Sequence, residues 1–184
     1  MKRHILSVPV FLLLFAAAAT AQMQPPKPAP ELAKLEFFVG NWKTEADMKP
    51  SSFGPGGKAT TVDHIEWMQG RFFLIMHSKY SSNMGSGVEY SVFGYDSKRN
   101  VYTYESFNSD GEHEVATGTL DADGKVWTWN SSPDTGGPMK WRFTETVLSP
   151  ASYSLKFEMA ADGKTWSSIM EGKAAKVPPS EGQH

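Results

Sequence analysis

The chain has 184 residues with 18 basic and 20 acidic side chains, and this balance argues against nucleic acid or an anionic membrane surface as a partner, because both require clustered Lys and Arg. Cysteine is absent, which excludes disulfides, thiol catalysis, cysteine-based zinc sites and iron–sulfur clusters. The length suits one domain whose stability comes from packing and from closure of a β-ladder.

Residues 1–21 have the three parts of a secretory signal peptide. Lys2 and Arg3 precede an apolar run over residues 5–19, and Ala19-Thr20-Ala21 forms an A-x-A cleavage site. The apolar run is shorter than the roughly 20 residues that span a bilayer, so an uncleaved anchor is the weaker interpretation. We expect cleavage before Gln22, a secreted or periplasmic protein, and no stable membrane insertion afterwards. Without Lys2 and Arg3, 16 basic residues remain and the net charge becomes −4.

The segment after the leader changes character twice. Residues 22–30 contain four prolines and predict an extended linker. Residues 31–38 then place Leu32, Leu35 and Phe38 at helical spacing, which predicts a short amphipathic helix. Such a helix is well placed to plug one end of a barrel.

From Gly40 onward the hydrophobic period changes to two, and turn signals recur every 8 to 12 residues or so, as expected for a meander or barrel. Asp-Gly turns at Asp110, Asp123 and Asp162 join neighbouring strands tightly, which favours antiparallel up-and-down order. The sequence therefore predicts an all-β fold, an up-and-down antiparallel barrel of about ten strands with a short N-terminal helix. The barrel domain is predicted over residues 31–175 and a disordered tail over 176–184. The predicted strands lie near residues 40–48, 58–67, 71–80, 88–96, 101–108, 112–120, 125–130, 139–148, 152–159 and 165–174.

Three longer segments interrupt the strand pattern. Residues 49–57, 81–87 and 131–138 are each rich in Gly, Pro or Ser. We interpret them as rim loops at the entrance of a cavity.

The strands carry more aromatic side chains than a small core needs, with six Trp and six Tyr in the chain. One interpretation is an aromatic-lined pocket for an apolar or planar ligand, and the other is aromatic rings that simply fill the barrel. Glu145 lies between Phe143 and Val147 on an apolar face, so it is either a polar anchor for the ligand or a residue beyond the core at a strand end. The candidate ligand-binding residues are Trp42, Tyr90, Tyr102, Tyr104, Trp127, Trp129, Trp141, Glu145 and Phe157.

Trp42 is the residue to which the sequence assigns the most specific role. Gly40 allows the chain to turn from the helical plug into the first strand, and the Trp42 indole can then close the barrel floor. Floor packing is favoured over ligand contact, and both interpretations stay open at this point.

The sequence predicts no catalytic residue, no metal site and no cofactor. His64 and Glu66 share one strand face, but this spacing alone is a weak sign of a metal site. No serine lies in the Gly-x-Ser-x-Gly turn that makes a hydrolase serine reactive, and no phosphate-binding glycine loop leads into a helix. Arg71 follows Gly70 in a turn, where it is either solvated or offers a cation to an anionic ligand.

Four stretches spread over nearly the whole mature chain carry a family resemblance. Gly40-Asn41-Trp42 resembles the Gly-x-Trp with which lipocalins and fatty-acid-binding barrels begin after a short helix. As a set, the stretches are similar to DUF1579, a bacterial family of exported or cytosolic proteins of unknown function. The stretches are residues 35–42 (LEFFVGNW), 67–74 (WMQGRFFL), 93–96 (FGYD), and Asp162-Gly163 followed by 170–173 (MEGK).

The resemblance implies a lipocalin-like barrel without an established activity. In lipocalins a basic residue near the end of the last strand packs on the floor tryptophan, and Lys173 is the corresponding position here. A related branch of such barrels holds haem through a histidine near the end of the chain. Only His184 lies there in this sequence, so haem is not expected.

The leading functional hypothesis is an exported barrel that binds a small apolar or aromatic molecule. The second is an enzyme, an isomerase or hydrolase, that acts on such a molecule with His64 or Glu145 as acid or base. The third is a filled barrel that serves as an interaction module of the cell envelope.

Overall fold

The computed structural model describes residues 26–52, 54–132 and 139–179. The predicted leader, the first part of the proline-rich linker, most of the third rim loop and His184 lie outside the described residues. Within the described part of the chain, no helix combines the length and the apolar character that crossing a membrane requires.

The described residues form a closed antiparallel barrel in which consecutive strands are neighbours and the first strand pairs with the last. One short 3-10 helix, Pro30–Phe38, precedes the barrel. The predicted all-β up-and-down barrel with an N-terminal helix is thereby confirmed. The ten strands are β1 (Gly40–Met48), β2 (Gly57–Trp67), β3 (Leu74–Ser82), β4 (Gly85–Asp96), β5 (Val101–Asn108), β6 (His113–Leu120), β7 (Val126–Ser131), β8 (Lys140–Ser149), β9 (Ser152–Ala160) and β10 (Ser167–Val177).

The turns follow from local sequence. Gly111, Gly124 and Gly163, each second in an Asp-Gly pair, have positive φ values of 84°, 70° and 69°, which a residue with a Cβ adopts at a cost. The rim loop predicted over residues 81–87 is wrong, because β3 and β4 continue through it and leave only Asn83 and Met84 between them. Conversely, β3 starts later than predicted.

Arg71 explains that later start. It has a φ of 59° in the turn between β2 and β3, so its backbone cannot continue a strand. Its guanidinium lies over the Trp67 ring, 4.8 Å from the centroid, and donates to the Glu36 carboxylate. Trp67 Nε1 donates to the same carboxylate at 2.8 Å. The turn is therefore fastened to the helix, and Arg71 is not available to a ligand inside the barrel.

The helix plugs the end of the barrel at which β1 begins. Leu32, Leu35 and Phe38, the predicted apolar positions, are buried in the core. Gly40 then has a φ of 124°, the left-handed region that turns the chain from the plug into β1. The predicted role of Gly40 is confirmed.

Trp42 is fully buried at the base of the barrel, where its Nε1 donates to the Phe38 carbonyl at 2.7 Å. The basic partner of its ring is Lys176, whose Nζ lies 5.1 Å from the ring centroid, and not Lys173 as predicted. The register explains the error: Trp42 pairs with Lys176, whereas Lys173 pairs with Glu45 on the outer face. β10 continues to Val177, beyond the predicted end of the barrel domain.

Candidate functional site

A cavity of about 450 Å³ occupies the barrel above this base. Its lining runs from Phe38 at the plug to Asp110 and Glu112, which lie exposed in the turn between β5 and β6 at the opposite end. The cavity thus has a closed end and a solvent-facing mouth. A volume of this size lies within the range of small-molecule sites.

A wider hollow of about 1170 Å³ lies along the outer face of β1, β2, β8, β9 and β10. Four of its charged side chains form two ion pairs, Lys43 with Glu45 (2.7 Å) and Lys58 with Asp47 (2.5 Å). The hollow lies on the outer surface, whereas the interior cavity is enclosed by the barrel wall and closed at one end, so the interior cavity is the better candidate site.

Four of the predicted aromatic residues line the cavity: Tyr104, Trp129, Trp141 and Phe157. They form a connected wall, in which the Tyr104 ring lies 6.1 Å from Trp129 and Trp141 lies 6.1 Å from Phe157. Their predicted interior placement is confirmed, while their contact with a ligand stays a prediction.

Three other predicted aromatic residues lie in the base instead of the cavity wall. Trp42, Tyr102 and Trp127 are 0%, 7% and 1% exposed. Trp127 stacks on Trp129 at 5.9 Å, and the Tyr102 hydroxyl donates to the Glu31 carbonyl at 3.1 Å. They support the floor on which a ligand would rest.

The interior placement of Tyr90 is wrong. Tyr90 is 54% exposed on the outer face of β4 and stacks on His77, with ring centroids 4.5 Å apart. Its neighbours Glu89 and Ser91 face inward, because strand side chains alternate and a one-residue difference exchanges the faces. The sequence did contain a signal for this register: Phe93 and Tyr95 lie on the same alternate set as Glu89 and Ser91, and two aromatic residues on one set indicate the inward face.

Glu145 lies in the middle of β8 with its side chain in the cavity wall, 8% exposed. The alternative in which it lies beyond the core at a strand end is therefore wrong. Its Oε2 accepts a hydrogen bond from Trp129 Nε1 at 3.0 Å. The pKa of the Glu145 carboxyl is raised from 4.5 to about 7, chiefly by burial, with the Trp129 hydrogen bond opposing the rise and the nearby Asp63 adding to it.

Gly118 determines how Trp129 is placed. The two residues are paired across β6 and β7, and a Cβ added at Gly118 would lie 2.4 Å from the Trp129 ring. Only glycine therefore lets the indole lie flat across the neighbouring strand and reach Glu145. The glycine was not singled out from the sequence, because the cross-strand pairing that makes it important is a property of the register.

Apart from Asp110 and Glu112 at the mouth, three further acids belong to the cavity lining and were not predicted as ligand-binding residues: Asp63, Glu89 and Glu114. Asp63 accepts hydrogen bonds from Thr61 Oγ1 at 3.0 Å and from the Ser78 hydroxyl. Burial raises the pKa of Asp63 despite these bonds. Burial also raises the pKa of Glu114, with smaller contributions from Glu112 and Glu89.

Glu89 is the shared acceptor of a small hydrogen-bond network inside the barrel. Its Oε1 accepts hydrogen bonds from Ser91 Oγ at 2.8 Å and from the Tyr104 hydroxyl at 3.0 Å. Burial, aided by the Glu89 charge, raises the pKa of Tyr104 far above its usual value, so this phenol remains a hydrogen-bond donor.

His64, the other candidate acid or base, lies on the outer face of the barrel. Its Nδ1 is 2.8 Å from Asn41 Oδ1, and its Nε2 is 3.8 Å from Glu66 Oε2. It belongs to the opposite face of β2 from Asp63, so it cannot act inside the cavity. Among the described residues, no three histidine or acidic side chains are grouped so that they could hold a metal ion.

The sequence model of a family described as "Protein of unknown function (DUF1579)" matches residues 27–176. The chain belongs to the DUF1579 family. No curated protein matches this DUF1579 chain in sequence.

Solved structures show the same fold at low sequence identity. The crystal structure of Rv2717c from M. tuberculosis is 14% identical with a TM-score of 0.63, and the similarity covers 83% of this chain and 100% of that one. The S-type phycobiliprotein lyase CPES from Guillardia theta is 11% identical with a TM-score of 0.57, covering 83% and 100%. A de novo designed fluorescence-activating β-barrel gives a TM-score of 0.44 at 15% identity, covering 77% and 95%. At these identities the first two similarities establish the fold alone.

Proposed function

We propose that this DUF1579 protein binds a small, largely apolar aromatic molecule inside its barrel. The observation that carries the proposal is the cavity of about 450 Å³, closed by the floor at one end, lined by aromatic rings and open at the other end. The similar fold of a phycobiliprotein lyase is compatible with this function.

The expected affinity follows from the area that a ligand would bury. An apolar ligand that buries some 200 Å² gains on the order of 5 kcal/mol at about 25 cal/mol per Å², before the costs of association. The dissociation constant should therefore be no lower than about 0.2 mM unless further contacts, a polar one among them, add to this energy. Glu145 is the residue that we expect to supply this contact, because it is buried beside the ligand space.

A titration with retinol, a neutral apolar probe, tests the proposal. We expect bound retinol to quench the emission of Trp129 and Trp141, which line the cavity. Trp141→Ala should weaken binding roughly tenfold because it removes a large part of the aromatic wall. Tyr90→Ala is the matched control, since it removes an aromatic ring from the outer face. Unchanged emission in the wild-type protein, or equal effects of the two substitutions, would contradict the proposal.

One observation favours an enzyme as the second candidate. The pKa of Glu145, about 7, suits a general acid or base at neutral pH, and the carboxyl borders the cavity. His64 is removed from this hypothesis by its outward position. A turnover that Glu145→Gln abolishes while retinol binding persists would favour catalysis over binding alone.

The open interior argues against a barrel filled by its own side chains. The interaction-module hypothesis requires a packed interior, whereas a volume of about 450 Å³ remains between the aromatic walls.

We also propose that the protein works outside the cytoplasm. The support is the order of charged, apolar and small residues in residues 1–21. The intact mass of protein from the exported fraction should correspond to a chain that begins at Gln22, and a mass that includes Met1 would contradict export by cleavage.

A further inference from the structure

The cavity combines its aromatic wall with an unusual set of charges. Four acids, which we call the cavity acids, belong to its lining: Asp63 on β2, Glu89 on β4, Glu114 on β6 and Glu145 on β8. Asp110 and Glu112 add two more acids at the mouth. Among the described residues, no Lys, Arg or His side chain lines this cavity.

The partners of the cavity acids do not neutralise them. Asp63 and Glu89 accept from hydroxyl groups, and Glu145 accepts from an indole N–H. None of the ion pairs between described residues includes a cavity acid. Glu158, on the outer face of β9, differs: it pairs with Arg142 and Lys156 at 2.7 Å each. Among the described residues, no basic side chain therefore lies in the cavity lining or pairs with a cavity acid as its counterion.

We propose that the ligand of this cavity is an organic cation, an aromatic molecule with a protonated amine or similar nitrogen that lies among the cavity acids. The inference rests on the proposed binding function and specifies its ligand class. The ring system would pack against the Trp129, Trp141 and Phe157 side chains, whose π-faces also attract a cation. The nitrogen would donate to carboxylate oxygens and supply the positive charge that the lining lacks.

The arrangement of the acids favours an organic cation over a metal ion. The cavity acids come from four alternate strands around the barrel, and the described residues contain no close group of three metal ligands. A metal ion needs several oxygen atoms converging within about 2.0 to 2.6 Å of one point. An extended cation instead spreads its charge and its donors over a wider space. Anionic ligands such as fatty acids would meet like charge on several sides.

A matched series of indole compounds tests the charge preference by isothermal titration calorimetry. Tryptamine is cationic, tryptophol is neutral and indoleacetate is anionic, while all three share one ring system. We expect tryptamine to bind roughly tenfold more tightly than tryptophol, and indoleacetate to bind more weakly than both, because each charge meets the carboxylates at short range in a medium of reduced dielectric.

Variants that remove single charges identify which carboxylates produce the preference for a cation. Glu145→Gln and Glu114→Gln should each weaken tryptamine binding several-fold and leave tryptophol binding unchanged. Glu66→Gln is the matched control, since Glu66 is exposed on the outer face of β2. Glu114 is only partly buried, so Glu114→Gln still tests the inference if Glu145→Gln does not fold.

The outcomes separate the two proposals. Equal binding of the three compounds, or tighter binding of indoleacetate, overturns the cation inference and leaves the binding function intact. The absence of heat with all three compounds also overturns the inference, and the retinol titration then decides separately on the proposed function. Loss of tryptamine affinity in the Glu66→Gln control would likewise overturn it, because the attraction would then arise from the overall charge.

Discussion

Trp42→Ala is expected to lower the free energy of unfolding by about 3 to 5 kcal/mol, the range for removing a fully buried large aromatic side chain. The indole is 0% exposed, its Nε1 bonds the Phe38 carbonyl, and its ring lies 5.0 Å from that of Tyr153. The substitution would leave a cavity at the junction of the plug, β1 and β10, which is the junction that closes the barrel. Urea unfolding followed by circular dichroism measures the change.

Trp166→Ala provides the matched control for this prediction. Trp166 is half-buried on the outside of the barrel, where its ring lies 4.6 Å from the Arg142 guanidinium carbon. The same change of residue there removes much less buried area, so we expect a loss of roughly 1 kcal/mol. If both variants lose the same stability, Trp42 does not have the special role in the floor that its burial indicates.

The fold could be predicted because its signals are local. Each of these signals is contained in a short stretch of sequence: the hydrophobic period of two, the recurring turn residues and the Gly-x-Trp at the start of the first strand. Together they located all ten strands. The wrong predictions concern residues whose position depends on which residue of a neighbouring strand they pair with. Lys173 was predicted as the partner of Trp42, and residue 176 was assigned to the tail, because the sequence does not reveal where the last strand ends or which of its residues pairs with Trp42.

The candidate site was predicted only in part, for a related reason. Aromatic side chains at alternate positions indicate an inward face by themselves, so Tyr104, Trp129, Trp141 and Phe157 could be placed. Asp63 shares a face of β2 with Thr61 and Ile65, but whether an acid on that face points into the barrel is decided by the register. The acidic character of the cavity thus depends on register, which a single sequence does not determine.

The cavity acids also give the protein a stability that depends on pH. Burial raises the pKa of Glu145 from 4.5 to about 7, so the folded state favours the protonated carboxyl more strongly than the unfolded state does. This contribution to stability is complete below the unfolded pKa and is lost as the pH rises through about 7. A shift of this size corresponds to a loss of about 3 kcal/mol above that pH, since one pKa unit is about 1.4 kcal/mol.

Glu145→Gln should therefore stabilise the ligand-free protein by up to about 3 kcal/mol at pH values above about 8 and leave it almost unchanged below about pH 4. The amide keeps a carbonyl oxygen that can accept from Trp129 Nε1, so the main change is the loss of a charge that is costly to bury. Urea unfolding across this pH range measures the difference. Some pH dependence should persist in the variant, because the pKa values of Asp63 and Glu114 are also raised by burial.

Two comparisons make the prediction decisive. Glu66→Gln, on the exposed outer face, should retain the wild-type pH profile. A saturating cation such as tryptamine should reduce the benefit of Glu145→Gln at high pH, because a bound positive charge stabilises the ionised carboxylate that the substitution removes. A constant difference between Glu145→Gln and wild type at every pH would mean that the carboxyl of Glu145 is not held in its neutral form by burial, and the electrostatic account of the cavity would then be wrong.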